Sequence, residues 1–262
     1  DQLLTLKKIE KNPVWLAGYE GTSSNESIGS LIANIDGRNV PLSVGFHKVK
    51  VEIRDQIART TIEESFVNRT LSRLEGVFHF PLPQDASISG FGMWIGGELI
   101  EADVVEKQRA REIYETILRE KRDPGLLEWT GGNIFKARVF PIEAHSEKRI
   151  KIVYTQVLPM RANQYRYSYG LRSELLQKTP MRELSLEVLV HSATPLKSVT
   201  CPTHPVRSSF GGPVGGGGGP IRSAHLEFSA QEYSPDRDFE VVCEVDAKQS
   251  DVVVVPHQRG DD

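Results

Sequence analysis

Cysteine is nearly missing from this chain: two residues, Cys201 and Cys243, in 262. So few exclude a disulfide scaffold. They leave either one bridge, if the surroundings are oxidising, or two ordinary buried thiols. A surplus of either charge is missing too. Thirty-two Lys and Arg stand against 35 Asp and Glu, for a net charge of -3, which predicts no nucleic-acid footprint. No apolar run approaches the roughly 18 residues of a membrane helix, so this segment spans no bilayer with a helix. The opening DQLLTLKKIEKN lacks an initiator Met and the charged-then-apolar order of a leader peptide. The end, VVVVPHQRGDD, stops just past a strand-like run. Both ends read as cut from something longer, with any targeting signal outside the chain.

Catalytic signatures are equally scarce. The run from Phe210 to Pro220 is rich in glycine, but it lacks the Lys-Ser/Thr of a phosphate-binding loop, so 211–219 reads as a flexible linker. No G-x-S-x-G elbow and no cysteine-protease signature occur. The histidines form no H-x-x-x-H pair. The expectation is a protein that is not an enzyme and holds no cofactor.

Alternation is abundant. Val49, Val51 and Ile53 alternate with charged residues, and a second run, Ala58–Val67, puts Ala58, Thr60, Ile62 and Phe66 on one face. With Asp55-Gln56 between them, the two runs predict an antiparallel hairpin. Leu74–Leu82 is a further strand, ended by Pro81 and Pro83. Ser87–Leu99 carries a Gly96-Gly97 pair that predicts a tight hairpin turn. Period-2 runs follow at Phe135–Val139, Ile150–Tyr154, Tyr165–Tyr169, Leu184–Val190, Ala224–Phe228, Phe239–Val245 and Asp251–Val255.

One stretch breaks the pattern. From Asp103, a candidate cap, to about 122, Ala110, Ile113, Tyr114, Ile117 and Leu118 share one helical face, and Asp123-Pro124-Gly125 stops the run. The fold class expected is therefore mainly β: an antiparallel β-sandwich with one amphipathic helix, about 103–122, packed on it.

Candidate sites are few. Asp85-Ala86-Ser87-Ile88-Ser89 matches the D-x-S-x-S metal string of von Willebrand factor A domains, but the flanking prolines and glycine-rich strand are the wrong setting, so no metal is expected. Cys201 and His204 are two zinc-ligand types where a closed site wants four. Asn25-Glu26-Ser27 and Asn68-Arg69-Thr70 fit the glycosylation pattern. Trp94, among Phe91 and Ile95, reads as core. Trp129, ahead of a turn, and the row Tyr165, Tyr167 and Tyr169 are the candidate interaction surface.

Four segments carry a family resemblance. They are VEIRDQIARTTIEESFVNRT (51–70), FHFPLPQDASISGF (78–91), EKQRAREIYE (106–115) and LLEWTGGNIFKARVFPI (126–142). Together they resemble the VIT domain, the vault protein inter-alpha-trypsin domain of inter-alpha-trypsin inhibitor heavy chains and of bacterial proteins that also carry a von Willebrand factor A domain. The resemblance implies an N-terminal extension over 1–35, a VIT domain over 36–160, and a β-rich continuation over 161–255 toward a von Willebrand factor A domain beyond this chain. It implies an interaction or scaffolding module of a larger secreted or cell-surface protein, whose partner is another protein or that adjacent domain. It supplies no catalytic residues. The alternative is a carbohydrate-binding or carbohydrate-active sandwich that uses exposed aromatics.

Overall fold

A computed structural model of the chain describes residues 3–6, 16–20, 27–83, 85–105, 134–211 and 220–246. The strands are β1 (Leu3–Leu6), β2 (Leu16–Glu20), β3 (Ser30–Ile35), β4 (Arg38–Pro41), β5 (Ser43–Arg54), β6 (Ile57–Asn68), β7 (Leu74–Pro81) and β8 (Ala86–Ile95). They continue as β9 (Glu98–Val105), β10 (Ile134–Ile142), β11 (Ser146–Val157), β12 (Gln164–Tyr169), β13 (Met181–Thr200), β14 (Arg207–Gly211), β15 (Ile221–Tyr233) and β16 (Phe239–Val245). A five-residue helix, α1 (Glu174–Lys178), precedes β13, and Ser173 caps it by accepting from the Leu176 amide.

The hydrogen-bonded path runs β12-β16-β13-β5-β6-β11-β8-β9-β1-β2-β10-β7-β3-β4, with β15 added to β13 and β14 to β15. It folds back on itself. The inner faces of β6, β11 and β8 meet β7 and β10 through ring contacts: Phe66 on Phe78 at 5.9 Å, Tyr154 on Phe80 at 6.2 Å and Phe91 on Phe135 at 5.1 Å. The core between these layers is made by the inward half of each alternation, including Val49, Val51, Ile53, Ile62, Ile152 and Leu186. Turns fall where the sequence places them. Gly96 and Gly97 both take positive φ, 59° and 88°, and join β8 to β9, while Asp55 at φ 53° turns β5 into β6.

Among the described residues the strand pairing is antiparallel with one exception. β13 runs parallel to β5 from Glu183↔Phe46 to His191↔Arg54, so the expected all-antiparallel sandwich holds a mixed sheet. β13 then bends and pairs its last residues, Leu196–Thr200, with β16. Hydrogen bonds clamp the bend: Ser192 Oγ donates to Thr194 O at 2.6 Å, and Asp55 Oδ1 accepts from the Ala193 amide at 2.8 Å.

The expected helix needs a correction at its start. β9 continues to Val105 and pairs with β1, Thr5↔Asp103 and Leu3↔Val105, so Asp103 lies in a strand. The strand continues because Val104 and Val105 are β-branched and an edge from far upstream is there to receive them. The stripe Ala110, Ile113, Tyr114, Ile117 and Leu118 lies outside the described residues, as does most of the 211–219 loop. Within 1–35, β1, β2 and β3 pair into the main sheet.

Both cysteines are free. Cys243 pairs with Val199, two residues before Cys201, so the thiols are diagonal neighbours across β13 and β16. Diagonal neighbours are about 7–8 Å apart, outside the usual Cα span of a disulfide, about 4.4–6.8 Å. Burial pushes the Cys243 thiol up to about 11. Under native conditions, thiol titration should find Cys243 silent and no mass change on reduction; a bridged species would contradict this register.

Candidate functional site

The tyrosine row alternates as expected, but it faces inward. Tyr165, Tyr167 and Tyr169 are 2%, 0% and 2% exposed, so they form no open platform. Their rings fill the space over β5 and β6, and two hydroxyls reach buried partners there. Tyr167 Oη lies 2.9 Å from Thr60 Oγ1, and Tyr169 Oη lies 2.8 Å from His47 Nε2. Burial raises the Tyr167 and Tyr169 phenols well above their usual range and pushes Tyr154, next to them, up to about 12. All three remain neutral at physiological pH. Trp129 lies outside the described residues.

Below this row is a sealed polar seam. His47 and Glu64 face each other in the β5–β6 register, 0% and 1% exposed, with His47 Nδ1 2.7 Å from Glu64 Oε1. The Gly29 amide donates to the same oxygen at 3.2 Å. A Cβ at Gly29 would fall 2.0 Å from Glu64 Oε2, so only glycine fits. The Ser27 amide donates to Arg172 O at 2.9 Å. The seam thus ties the segment before β3 to the β5–β6 hairpin and to the end of β12. An acid, an imidazole and a phenol stand in line, but beneath both layers. Their service is to hold three segments in register.

The remaining sequence candidates resolve individually. Asp85 and Ser87 are exposed, and the Ser89 hydroxyl turns to Val153 O at 3.5 Å. Among the described residues no His, Cys, Asp and Glu cluster is fit for a metal. His204 packs as an aromatic, 4.9 Å from Phe228 and 5.4 Å from Phe239, with Thr203 Oγ1 at 3.0 Å from Nδ1. Burial, with Arg237 beside it, lowers its pKa.

Asn68 is fully buried. Its amide donates to Ser72 O, Ile142 O and Glu143 O, and its oxygen accepts from the Thr70 amide and hydroxyl. That side chain organises a loop and is closed to a glycan. Trp94 departs from its core expectation. It is half-buried on the outer face, with the Arg149 guanidinium 3.9 Å over its ring and Glu63 paired to that arginine.

Lys148, 4% exposed, turns inward and donates to Trp94 O at 3.0 Å. Burial pulls its amine down to about 8, against the opposing pull of Glu143. Lys148→Met is expected to stabilise the fold at pH 7 by about 1–2 kcal/mol, after allowance for solvent screening and the lost hydrogen bond. Between pH 8 and 10.5 the unfolded chain holds a proton the folded one has released, so wild-type stability rises with pH and the gap closes. Urea midpoints at pH 7 and pH 10 measure it; a wild type more stable than the variant at pH 7 would refute the claim.

The second feature is the outer face of the sheet β14-β15-β13-β5-β6-β11-β8-β9. Here the outward half of each alternation is laddered by charge. Lys48 pairs with Glu183 at 3.1 Å, Lys50 with Glu187 at 3.9 Å, Lys151 with Glu101 at 3.4 Å and Arg182 with Glu147 at 2.6 Å. Sequence periodicity shows which residues lie outward, but the cross-strand register decides which of them meet. The His47–Glu64 pair had a sequence signal: His47 shares the parity of Val49, and Glu64 that of Ile62.

Residues 46–154 match the family model of the vault protein inter-alpha-trypsin domain, and the likeness to that family lies in this segment. Human von Willebrand factor A domain-containing protein 5A is 26% identical over 125 residues, 47% of this chain and 16% of that protein. Human inter-alpha-trypsin inhibitor heavy chain H4 is 28% identical over 131 residues, 50% of this chain and 14% of its own length. The chain therefore spans about a sixth or less of these relatives. Among solved structures, an M1 zinc metallopeptidase from Deinococcus radiodurans aligns over 77% of this chain and 42% of its own, with a TM-score of 0.40 and 10% identity.

Proposed function

We propose that this chain is a non-catalytic protein-interaction module that scaffolds a larger assembly, with a von Willebrand factor A domain of the same polypeptide as its nearest partner. The single observation that carries the reading is the division of labour between the faces. His47 and Glu64 are sealed on the inner side in the seam, and the broad outer sheet face is left open with mixed charge. Antiparallel and mixed sheets with one solvated face suit contact with another protein. The match to a domain also found in a von Willebrand factor A protein supports the choice of partner. Heavy-chain likeness supports work outside the cytoplasm or at the cell surface. No helix among the described residues is long and apolar enough to cross a membrane.

A photo-crosslinker placed at Lys50, on the outer face, is expected to capture one discrete protein, and the same group at Asn39, on β4, is expected to capture none. Turnover in a panel of hydrolase substrates would sink the reading. Binding on a glycan array would favour the carbohydrate alternative, which has lost the tyrosine row as its platform.

A further inference from the structure

At one corner of the outer face the charge matching stops. Cross-strand register sets His191, Arg54, Ile57 and Val157 side by side, and Glu52, Arg59, Thr155 and Ser87 in the next row. Ile57 is 53% exposed, Val157 61%, and Met160, three residues on, 42%. Arg54, Arg59 and Arg161 are exposed and belong to no ion pair among the described residues. The backbone beneath is fixed: the Leu158 amide donates to Gln56 O at 2.7 Å, Asp55 N to His191 O at 2.8 Å, and Arg161 N to Gln164 O at 2.8 Å.

Resting on the interaction reading above, we infer that this corner is the docking surface for an acidic protein segment that carries apolar side chains. Aliphatic groups of the partner cover Ile57, Val157 and Met160. Its carboxylates meet the three guanidinium groups, whose planar forks donate to both oxygens of a carboxylate at once. Arginine is also among the residue types that dominate binding energy at protein interfaces. An anionic membrane fits this surface less well. The corner is a flat sheet end, and the exposed carboxylates of Asp55 and Asp85 stand in it, where a uniform plane of negative headgroups would repel them. A discrete partner can place its charges between them.

The test uses the full chain and a short fluorescent peptide of alternating Asp and Leu. Binding is expected, weakening with salt. It should fall about tenfold or more in Arg54→Glu/Arg59→Glu and in Ile57→Ser/Val157→Ser. An Arg54→Gln/Arg59→Gln variant, which only removes charge, should fall between. The Lys/Leu counterpart peptide and phosphatidylserine/phosphatidylcholine vesicles should bind little. The inference is overturned if the acidic peptide does not bind, binds all variants equally, or if the vesicles bind as well as the peptide. Far-UV circular dichroism and urea midpoints check that each variant is folded. If the Lys50 adduct survives in the arginine variants, the corner is refuted while the module reading stands.

Discussion

Replacing Glu64 by alanine should cost the fold roughly 2–5 kcal/mol, the usual range when a buried side chain is cut back and its polar neighbours lose their partner. Three losses combine. His47 keeps its place at 0% exposure with no carboxylate beside Nδ1. The Gly29 amide loses its acceptor, and a void opens next to Phe78. Glu64→Gln should cost far less, about 1 kcal/mol, since it fills the same space and its carbonyl can still accept from the Gly29 amide. Urea midpoints of the two variants read the difference. Equal midpoints would mean that the seam is filled space and nothing more. A useful companion is Gly29→Ala, which should resemble Glu64→Ala because its methyl needs the space that Glu64 Oε2 occupies.

Asn68→Ala should follow at about 3 kcal/mol, or a fall in Tm of roughly 10 °C for a chain of this size. The change strips the donor from three carbonyls, one of them the buried Ile142 O, and the acceptor from Thr70. Asn68→Asp is the sharper probe. The carboxylate can still accept from Thr70, but it turns negative charge toward three carbonyl oxygens, so it should be at least as damaging as alanine. Calorimetry of both settles it; an Asp variant as stable as wild type would contradict the geometry. Expression in a eukaryotic secretory host should leave Asn68 unmodified, visible as an unchanged mass at that peptide.

Much of the local architecture was legible because strands advertise themselves by period. The β5–β6 hairpin, its Asp55-Gln56 turn and the Gly96-Gly97 turn are all set by neighbours in sequence, and the structure places them as read. What escaped was pairing across distance. Nothing local to Leu184–Val190 says that it lies parallel to β5, and nothing local to Val104-Val105 announces β1. The tyrosine row shows the same limit in another form. Alternation divides Tyr165, Tyr167 and Tyr169 from Arg166 and Ser168, but it cannot say which side is water. Tyrosine serves either side, since its ring is apolar and its hydroxyl needs one partner. Glu64 is the opposite case: it shares the parity of Ile62 on the buried face, and the β5–β6 register sets His47 across from it.

The parallel pairing of β13 with β5 has a practical consequence for anyone who trims this chain. The matched family segment ends at residue 154, well short of β13. A fragment cut there would lose the strand that covers β5 from Phe46 to Arg54 and leave a long row of amides and carbonyls without partners. Such an edge invites other copies to add to it, so the fragment should come out of expression as aggregate. A fragment carried through Asp246 keeps its own lid on that edge. The stretch that can be recognised by sequence and the stretch that can exist alone are different lengths of the same polypeptide, and the second is the one to put in a tube.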